Sequence, residues 1–420
     1  MANVSSSNGL EKRPKLRFPG FDEPWISQQF SCVFSFLQNN TLSRAELDSD
    51  GEVLNIHYGD VLIKFGSILD CNDKDIPHIA SRHESQNYQY LQNGDIIIAD
   101  TAEDETVGKA TELVNVSGRK VEAGLHTIPC RPLSCFASMY LGYYMNTPHF
   151  HRQLIPLMQG IKVLSISKGN IAKTKICAPK SMLEQQKISY LLNVLDRRTA
   201  AQRKVIEVLK KYKRGLLRDI FSKLNVRHDK RKLKDVAVLF ADGDWIESKD
   251  QAPEGIRLVQ TGNVGFGVYL DKPQNAKYIS EATFHRLNCL EIYDGDILIS
   301  RLPEPAGRAC LLPQSTERRI TAVDCTVIRT DKSVIDRTYL LQFLCSDQYL
   351  KTVNSLLAGG TRQRISRKNL EGIEVPYPSI DQQRYYGSFL CKVDARISNE
   401  ENRLNCLSIL RSSLLQQLFI

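Results

Sequence analysis

Two stretches decide the fold: EQQKISYLLNVLDRRTAAQRKVIEVLKKYKRGLLRDIF, from Glu184 to Phe221, and DQQRYYGSFLCKVDARISNEENRLNCLSILRSSLLQQLF, from Asp381 to Phe419. Neither has an internal proline, and both place seam residues at alternating spacings of three and four, the period of a helix with one buried stripe. The first stripe is Leu192, Leu195, Thr199, Gln202, Ile206, Leu209, Lys213, Leu216 and Ile220. Adding a constant 198 gives Leu390, Val393, Ile397, Glu400, Leu404, Leu407, Arg411, Leu414 and Leu418. Even the polar interruptions coincide, Gln202 with Glu400 and Lys213 with Arg411. One heptad seam is written twice, so the two helices are expected to pack against each other.

The repeat continues upstream of each helix. APKSMLEQQ (from Ala178) and VPYPSIDQQ (from Val375) both put proline before a Ser-initiated, acidic helix start. ISKGNIAKTKI (from Ile166) resembles ISRKNLEGIEV (from Ile365), and NGDIIIAD at Asn93 parallels DGDILISR at Asp294. VGKA at Val107 faces AGRA at Ala306, and NIHYGDV at Asn55 is weakly echoed by LVQTGNV at Leu258. In both halves Gly-Asp turns lead into short β-branched runs. Each half is therefore expected to be a strand-rich globular domain followed by a long helix, an α+β chain with a pseudo-two-fold repeat. The loops around Asp70–Tyr90 and Lys272–Leu290 diverge. Divergent loops on a repeated scaffold fit two related surfaces that read different targets, and equally fit drift after an old duplication.

A length of 420 residues agrees with two to three domains, and 42% hydrophobic with 25% charged residues excludes wholesale disorder. No stretch approaches the roughly 20 apolar residues of a membrane span. MANVSSSNGLEKRPK at the N-terminus lacks an apolar core, so no secretory signal is expected and the cytosol is the expected compartment. Eleven cysteines are scattered without a Cys-x-x-Cys, which points to reduced thiols. The net charge of +9 is concentrated: from Arg203 to Lys234 there are 13 Lys/Arg and 3 Asp/Glu, leaving 43 basic and 44 acidic residues elsewhere. Such a run is a solvated helix face or a stretch that meets phosphate or a partner.

Catalytic motifs are scarce. The nearest approach to an Asn-Pro-Pro-aromatic string is Asn146-Thr147-Pro148-His149, and Gly265-Phe266-Gly267 is followed by Leu at 270 where a dinucleotide loop needs glycine. His126, Cys130 and Cys135 offer three metal-ligand types without a fourth at suitable spacing. Glu247-Ser248-Lys249, with Asp235 upstream, could be the metal-holding carboxylates and water-orienting lysine of a nuclease. Two alternatives thus stand beside a recognition role: a single-chain metal-dependent DNA nuclease using Glu247 and Lys249, and a coiled-coil scaffold.

PKLRFPGFDEPW (Pro14 to Trp25), the two Gly-Asp motifs and the two EQQ/DQQ helices together resemble the specificity subunit of type I restriction–modification systems, over nearly the whole chain. The resemblance implies two target-recognition domains joined by two long antiparallel coiled-coil helices: domain 1 over 1–180, a central helix over 181–222, domain 2 over 223–378 and a C-terminal helix over 379–420. It implies a non-catalytic chain that reads a bipartite double-stranded DNA target, one half-site per domain. Two methyltransferase subunits and restriction/translocase subunits would be its partners, and S-adenosylmethionine, ATP and Mg²⁺ would belong to them, with no cofactor or metal in this chain. Helix length agrees independently, since 38 residues from Glu184 to Phe221 span about 57 Å, against roughly 34 Å for one turn of B-DNA. The helices would act as a ruler.

Sequence is read by Arg on guanine and Asn/Gln on adenine, while Lys grips phosphate. GGTRQRISRK, from Gly359, supplies Arg362, Gln363, Arg364, Arg367 and Lys368 beside two glycines. Its counterpart, Gln159–Lys173, keeps only Lys162, Lys168 and Lys173. Arg301 and Arg308 flank the second Gly-Asp turn, Lys109 matches Arg308, and His57, Tyr58 and Lys64 lie at the corresponding edge of the first domain. These are the DNA-contact candidates.

Overall fold

The computed structural model describes residues 13–83, 89–360 and 363–420. The chain forms two compact units, Met1–Gln202 with Arg403–Ile420, and Arg203–Asn402. The long helices, α1 (Met182–Arg227) and α2 (Ile380–Gln417), each contribute to both units. None of the eighteen seam positions is exposed. In the first unit Ile188 and Leu192 share a core with Leu415, Leu418 and Phe419, and in the second Leu217, Phe221 and Leu224 share one with Leu390.

Ion pairs set the antiparallel sense inside each unit. Asp196 pairs with Arg411 in the first. In the second, Lys210 pairs with Glu401 at 2.6 Å and Lys213 with Asp394 at 2.5 Å, so α2 descends as α1 ascends. Asp196 plus 198 is 394 and Lys213 plus 198 is 411, so the two Asp–cation bridges are one contact built twice. Each aspartate also binds its own globular part: Tyr143 Oη donates to Asp196 at 3.1 Å and Gln342 Nε2 to Asp394 at 2.8 Å. The glutamines of the helix starts repeat the theme. Gln185 accepts from Ala137 N and donates to Pro179 O, and Gln383 accepts from Asp336 N and donates to Pro378 O, all at 2.9 Å.

Beside two-stranded pairs, each unit carries one four-stranded and one five-stranded sheet whose strands largely correspond. The first unit's larger sheet runs Phe34–Phe36, Thr127–Pro132, Ile96–Ala99, Ala110–Val114 and Ile68–Asp70. The second unit repeats four of these as Ala237–Asp242, Cys325–Thr330, Ile297–Ser300 and Ala309–Leu311. The other sheet contains one parallel pair in each unit, Val53–Ile56 with Lys120–Ala123 and Ile256–Val259 with Arg319–Thr321. Each unit adds one further strand of its own: Ile68–Asp70, ahead of His78–Ile79 in the chain, extends the first sheet beside Ala110–Val114, whereas Glu291–Ile292, after Tyr278–Ile279, extends the second beside Arg319–Thr321.

The Gly-Asp motif has one structural cause in both units. Gly94 and Gly295 turn with φ of 85° and 87°, where a side chain is strained. The next residue then buries its carboxylate: Asp95 takes a two-pronged ion pair from Arg131 at 2.9 and 2.7 Å, and Asp296 takes the same from Arg329 at 2.9 and 2.7 Å. Arg131 plus 198 is 329. The fully buried strands Ile96–Ala99 and Ile297–Ser300 follow, apolar on both faces because each is central in its sheet. The N-terminal PKLRFPGFDEPW string closes the first unit. Arg17 forks onto Glu184 at 2.7 and 2.9 Å, Leu16 N donates to Gln417 O at 2.9 Å, and Trp25 meets Phe419 edge-on at 6.3 Å.

Candidate nucleic-acid interface

Each unit projects one hairpin from the same backbone frame. In the first, Gln159 and Ser165 exchange N–H···O bonds of 2.9 and 2.8 Å; in the second, Ala358 and Arg364 do so at 3.0 and 2.9 Å. The turn begins with glycine in the left-handed region, Gly160 at φ 115° and Gly359 at φ 111°. A Cβ on Gly160 would lie 1.9 Å from Val163 O, so only glycine fits there. Behind the hairpin, Ile166 N binds Asp100 O at 2.8 Å and Ile365 N binds Arg301 O at 3.2 Å. A short capped helix follows, Lys168–Ile171 under Ser167 and Arg367–Glu371 under Ser366. Asn170 Nδ2 reaches back to Leu157 O at 3.1 Å, and Asn369 Nδ2 to Leu356 O at 3.0 Å. The frames match bond for bond, while the side chains they display differ.

On the second hairpin and its helix, Gln363, Arg364, Arg367 and Lys368 are all exposed. Arg367 leans on Glu371 at 3.3 Å, an exposed pair that costs little to break. Arg362 lies outside the described residues. On the first hairpin, Lys162 is exposed between Ile161, which is 100% exposed, and Val163, which is 52% exposed. Lys168 is turned onto Leu37 O at 3.0 Å and Lys173 onto Asn170 Oδ1 at 3.2 Å. The sequence reading missed Ile161 and Val163, although the glycine and the IS-x-x-N string that frame them were visible in the repeat.

Several other candidates make contacts within the protein itself, most of them to its backbone. His57 is buried; its Nδ1 accepts from Gly59 N at 3.2 Å to cap the helix Tyr58–Ile63, and burial pushes its pKa down. Lys109 Nζ donates to Leu62 O at 2.6 Å, half-buried, and burial lowers its pKa. Its counterpart Arg308 donates to Val264 O, Leu302 O, Pro305 O and Thr261 O at 2.7 to 3.1 Å, and burial lowers its pKa as well. The repeated basic residue thus clamps the segment after the parallel strand in each unit. Arg301 is buried, giving Nη2 to Val323 O at 2.6 Å and facing Asp242 at 3.6 Å. Tyr58 packs between His57 and His126, with ring centroids at 4.6 and 5.2 Å. Lys64 is exposed and donates to Asp75 O.

The nuclease string does not assemble a metal site. Glu247 is spanned by Lys249 at 2.8 Å and Trp245 Nε1 at 3.3 Å, and the Lys249 hydrogen bond holds its carboxyl below the usual range. Asp235 sits in the separate turn Leu233–Val236. Among the described residues no three His, Cys, Asp or Glu side chains converge as metal ligands. Of the zinc-like trio, Cys130 is buried, Cys135 is exposed, and His126 faces Asp100 at 3.3 Å.

Comparisons with known proteins agree with this layout. Residues 225–408 match the family model described as the type I restriction modification DNA specificity domain. The type I restriction enzyme MjaVIII specificity subunit of Methanocaldococcus jannaschii is 23% identical over 255 residues, covering 56% of this chain and 59% of that protein. The putative type I restriction enzyme MjaX specificity subunit of the same organism is 22% identical over 408 residues, covering 89% of this chain and 87% of that protein. The type I restriction-modification S subunit from M. genitalium has the same fold, with a TM-score of 0.58 at 15% identity over 97% of this chain and 99% of that one. Over most of its length the chain is thus similar to type I specificity subunits, and it shares their fold. The nuclease alternative finds no support.

Proposed function

We propose that the chain reads a split double-stranded DNA sequence, one half-site with each unit, and positions methyltransferase subunits on it without catalysing a reaction itself. The observation that carries this reading is the pair of hairpins: one backbone frame, built twice, ending in different side chains. A scaffold duplicated for stability alone has no need to hold the frame so closely while changing its tip. Two methyltransferase subunits and the restriction/translocase subunits would complete the assembly. S-adenosylmethionine, ATP and Mg²⁺ would be bound by those partners. Among the described residues no helix is long and apolar enough to cross a membrane, and a cytoplasmic assembly acting on chromosomal DNA is the proposed setting.

The basic run from Arg203 to Lys234 supports phosphate contact as a secondary role. Lys210, Lys213 and Lys223 are spent on Glu401, Asp394 and Asp219, while the strand Lys230–Lys232 is exposed throughout. Affinity through such residues should fall steeply with salt.

The reading is tested by co-expressing the chain with its modification subunits and mapping methylated adenines by single-molecule sequencing. A two-part motif with a fixed spacer is expected; methylation at a single contiguous motif overturns the split-site reading. Within that assembly, Arg364→Ala should weaken binding to the mapped target by about 1–3 kcal/mol and relax one position of one half-site. Unchanged affinity and an unchanged motif would remove Arg364 from the interface.

A further inference from the structure

The first unit's hairpin displays apolar side chains at its tip, whereas the second exposes Gln363 and Arg364 on its returning arm. Ile161 is fully exposed and Val163 half-exposed, with Lys162 between them. Gly160 at φ 115° and the paired Gln159–Ser165 bonds hold this tip in one shape. The strand Leu164–Ser165 continues it into the unit by pairing with Thr101–Ala102. A two-stranded ribbon is narrow enough to enter the major groove of B-DNA, where the one apolar group on the base edges is the 5-methyl of thymine.

We infer that the first unit's hairpin, through Ile161 and Val163, reads thymine 5-methyl groups in its half-site, with Lys162 on the adjacent phosphate. This rests on the DNA-reading role proposed above and goes beyond it by assigning the base chemistry of one half-site. The two half-sites are then read by unlike means: A·T pairs by apolar contact in the first, and guanine or adenine by Arg364 and Gln363 hydrogen bonds in the second. Arginine and glutamine find donor and acceptor patterns on base edges, whereas a branched aliphatic side chain gains only where it displaces water from a methyl group. A lysine between two such residues favours a polyanion over an apolar protein groove as the occupant, since burying an unpaired ammonium is costly.

The test uses the assembled complex and a duplex carrying its mapped target. Each thymine of the first-unit half-site is replaced in turn by uracil, which deletes only the methyl. One or two positions should lose about threefold to fivefold in affinity, the scale of one buried methyl group, about 0.8 kcal/mol. The same replacements in the other half-site should be silent. An Ile161→Ser/Val163→Ser complex should bind thymine and uracil duplexes equally. The inference is overturned if every uracil duplex binds like its thymine parent, a result that does not depend on any variant folding. It is also overturned if the double variant keeps the thymine preference. Were the complex to show no sequence-specific binding at all, the underlying DNA-reading role would fail instead, and the two failures are distinguishable. Loss of subunit assembly in the double variant, with full thymine–uracil indifference of the parent, would place a protein on the hairpin and likewise reject the inference.

Discussion

Inserting seven residues between Gln202 and Arg203, and seven between Asn402 and Arg403, will move methylation to targets whose half-sites lie farther apart. These points are where the two units divide each long helix. A heptad adds about 10.5 Å of helix and turns the seam by only ~20°, so the paired stripe stays in phase when both helices are lengthened together. By rise alone that is about three base pairs at ~3.4 Å each. Targets with the original spacer should then engage one unit at a time. Forfeiting a half-site gives up several base contacts of roughly 1–3 kcal/mol each, so binding at the original spacer should fall by at least about 100-fold. Motif mapping reads both effects; an unchanged spacer would reject the ruler.

The second large effect concerns Glu112, a buried carboxyl on the strand Ala110–Val114. The helix Tyr140–Met145 starts at Met139 with φ 71° and no side-chain cap of its own. Glu112 takes that role from a neighbouring strand, accepting from Met139 N at 2.6 Å and Gly142 N at 2.8 Å. In the second unit Asp336 caps the corresponding helix Arg337–Leu344 locally, accepting from Tyr339 N at 2.9 Å, and position 112 plus 199 is Leu311. Glu112→Leu would therefore copy the second unit's residue without its cap and leave two buried N–H groups without acceptors. At roughly 1–3 kcal/mol for each lost partner, the first unit should lose about 2–6 kcal/mol.

Burial pushes the Glu112 carboxyl up to about 7 from an ordinary 4.5, against the lowering effect of its backbone donors. Because the folded state holds this proton more tightly than the unfolded chain, the contribution of Glu112 to stability is fully present below pH 4.5 and is lost as pH rises through 7. The difference of about 2.5 units corresponds to roughly 3 kcal/mol. Glu112→Leu should remove this component of the pH dependence, so the gap from the parent narrows as pH rises through 7. The chain has two tryptophans, Trp25 buried in the first unit and Trp245 exposed in the second. In a Trp245→Phe background, Trp25 fluorescence reports urea unfolding of the first unit. A parallel pH profile in parent and variant would show that another group carries the slope.

Much of the architecture was legible before any coordinates because it is written twice. The seam at a constant offset specified two helices and their buried faces, and the Gly-Asp turns marked where central strands begin. The partners of those turns were not legible. Arg131 and Arg329 lie 36 and 33 residues downstream of Asp95 and Asp296, and nothing local announces that they return to them. The sheet that each added strand, Ile68–Asp70 and Glu291–Ile292, would join was hidden for the same reason, since short strands choose their sheet by non-local pairing.

The sequence by itself determined the duplication, the helix seam and the α+β layout, because periodicity and repeated turn chemistry are local properties of the chain. Only the tertiary structure decided which basic residues are available. Lys109, Arg301 and Arg308 look as suitable as Arg364 in one dimension, yet folding places backbone carbonyls against their side chains and leaves Arg364 in solvent. It likewise placed Ile161, which the sequence did not single out, at the exposed tip of a hairpin. Availability depends on what returns to a side chain from far along the chain, and that is settled by packing.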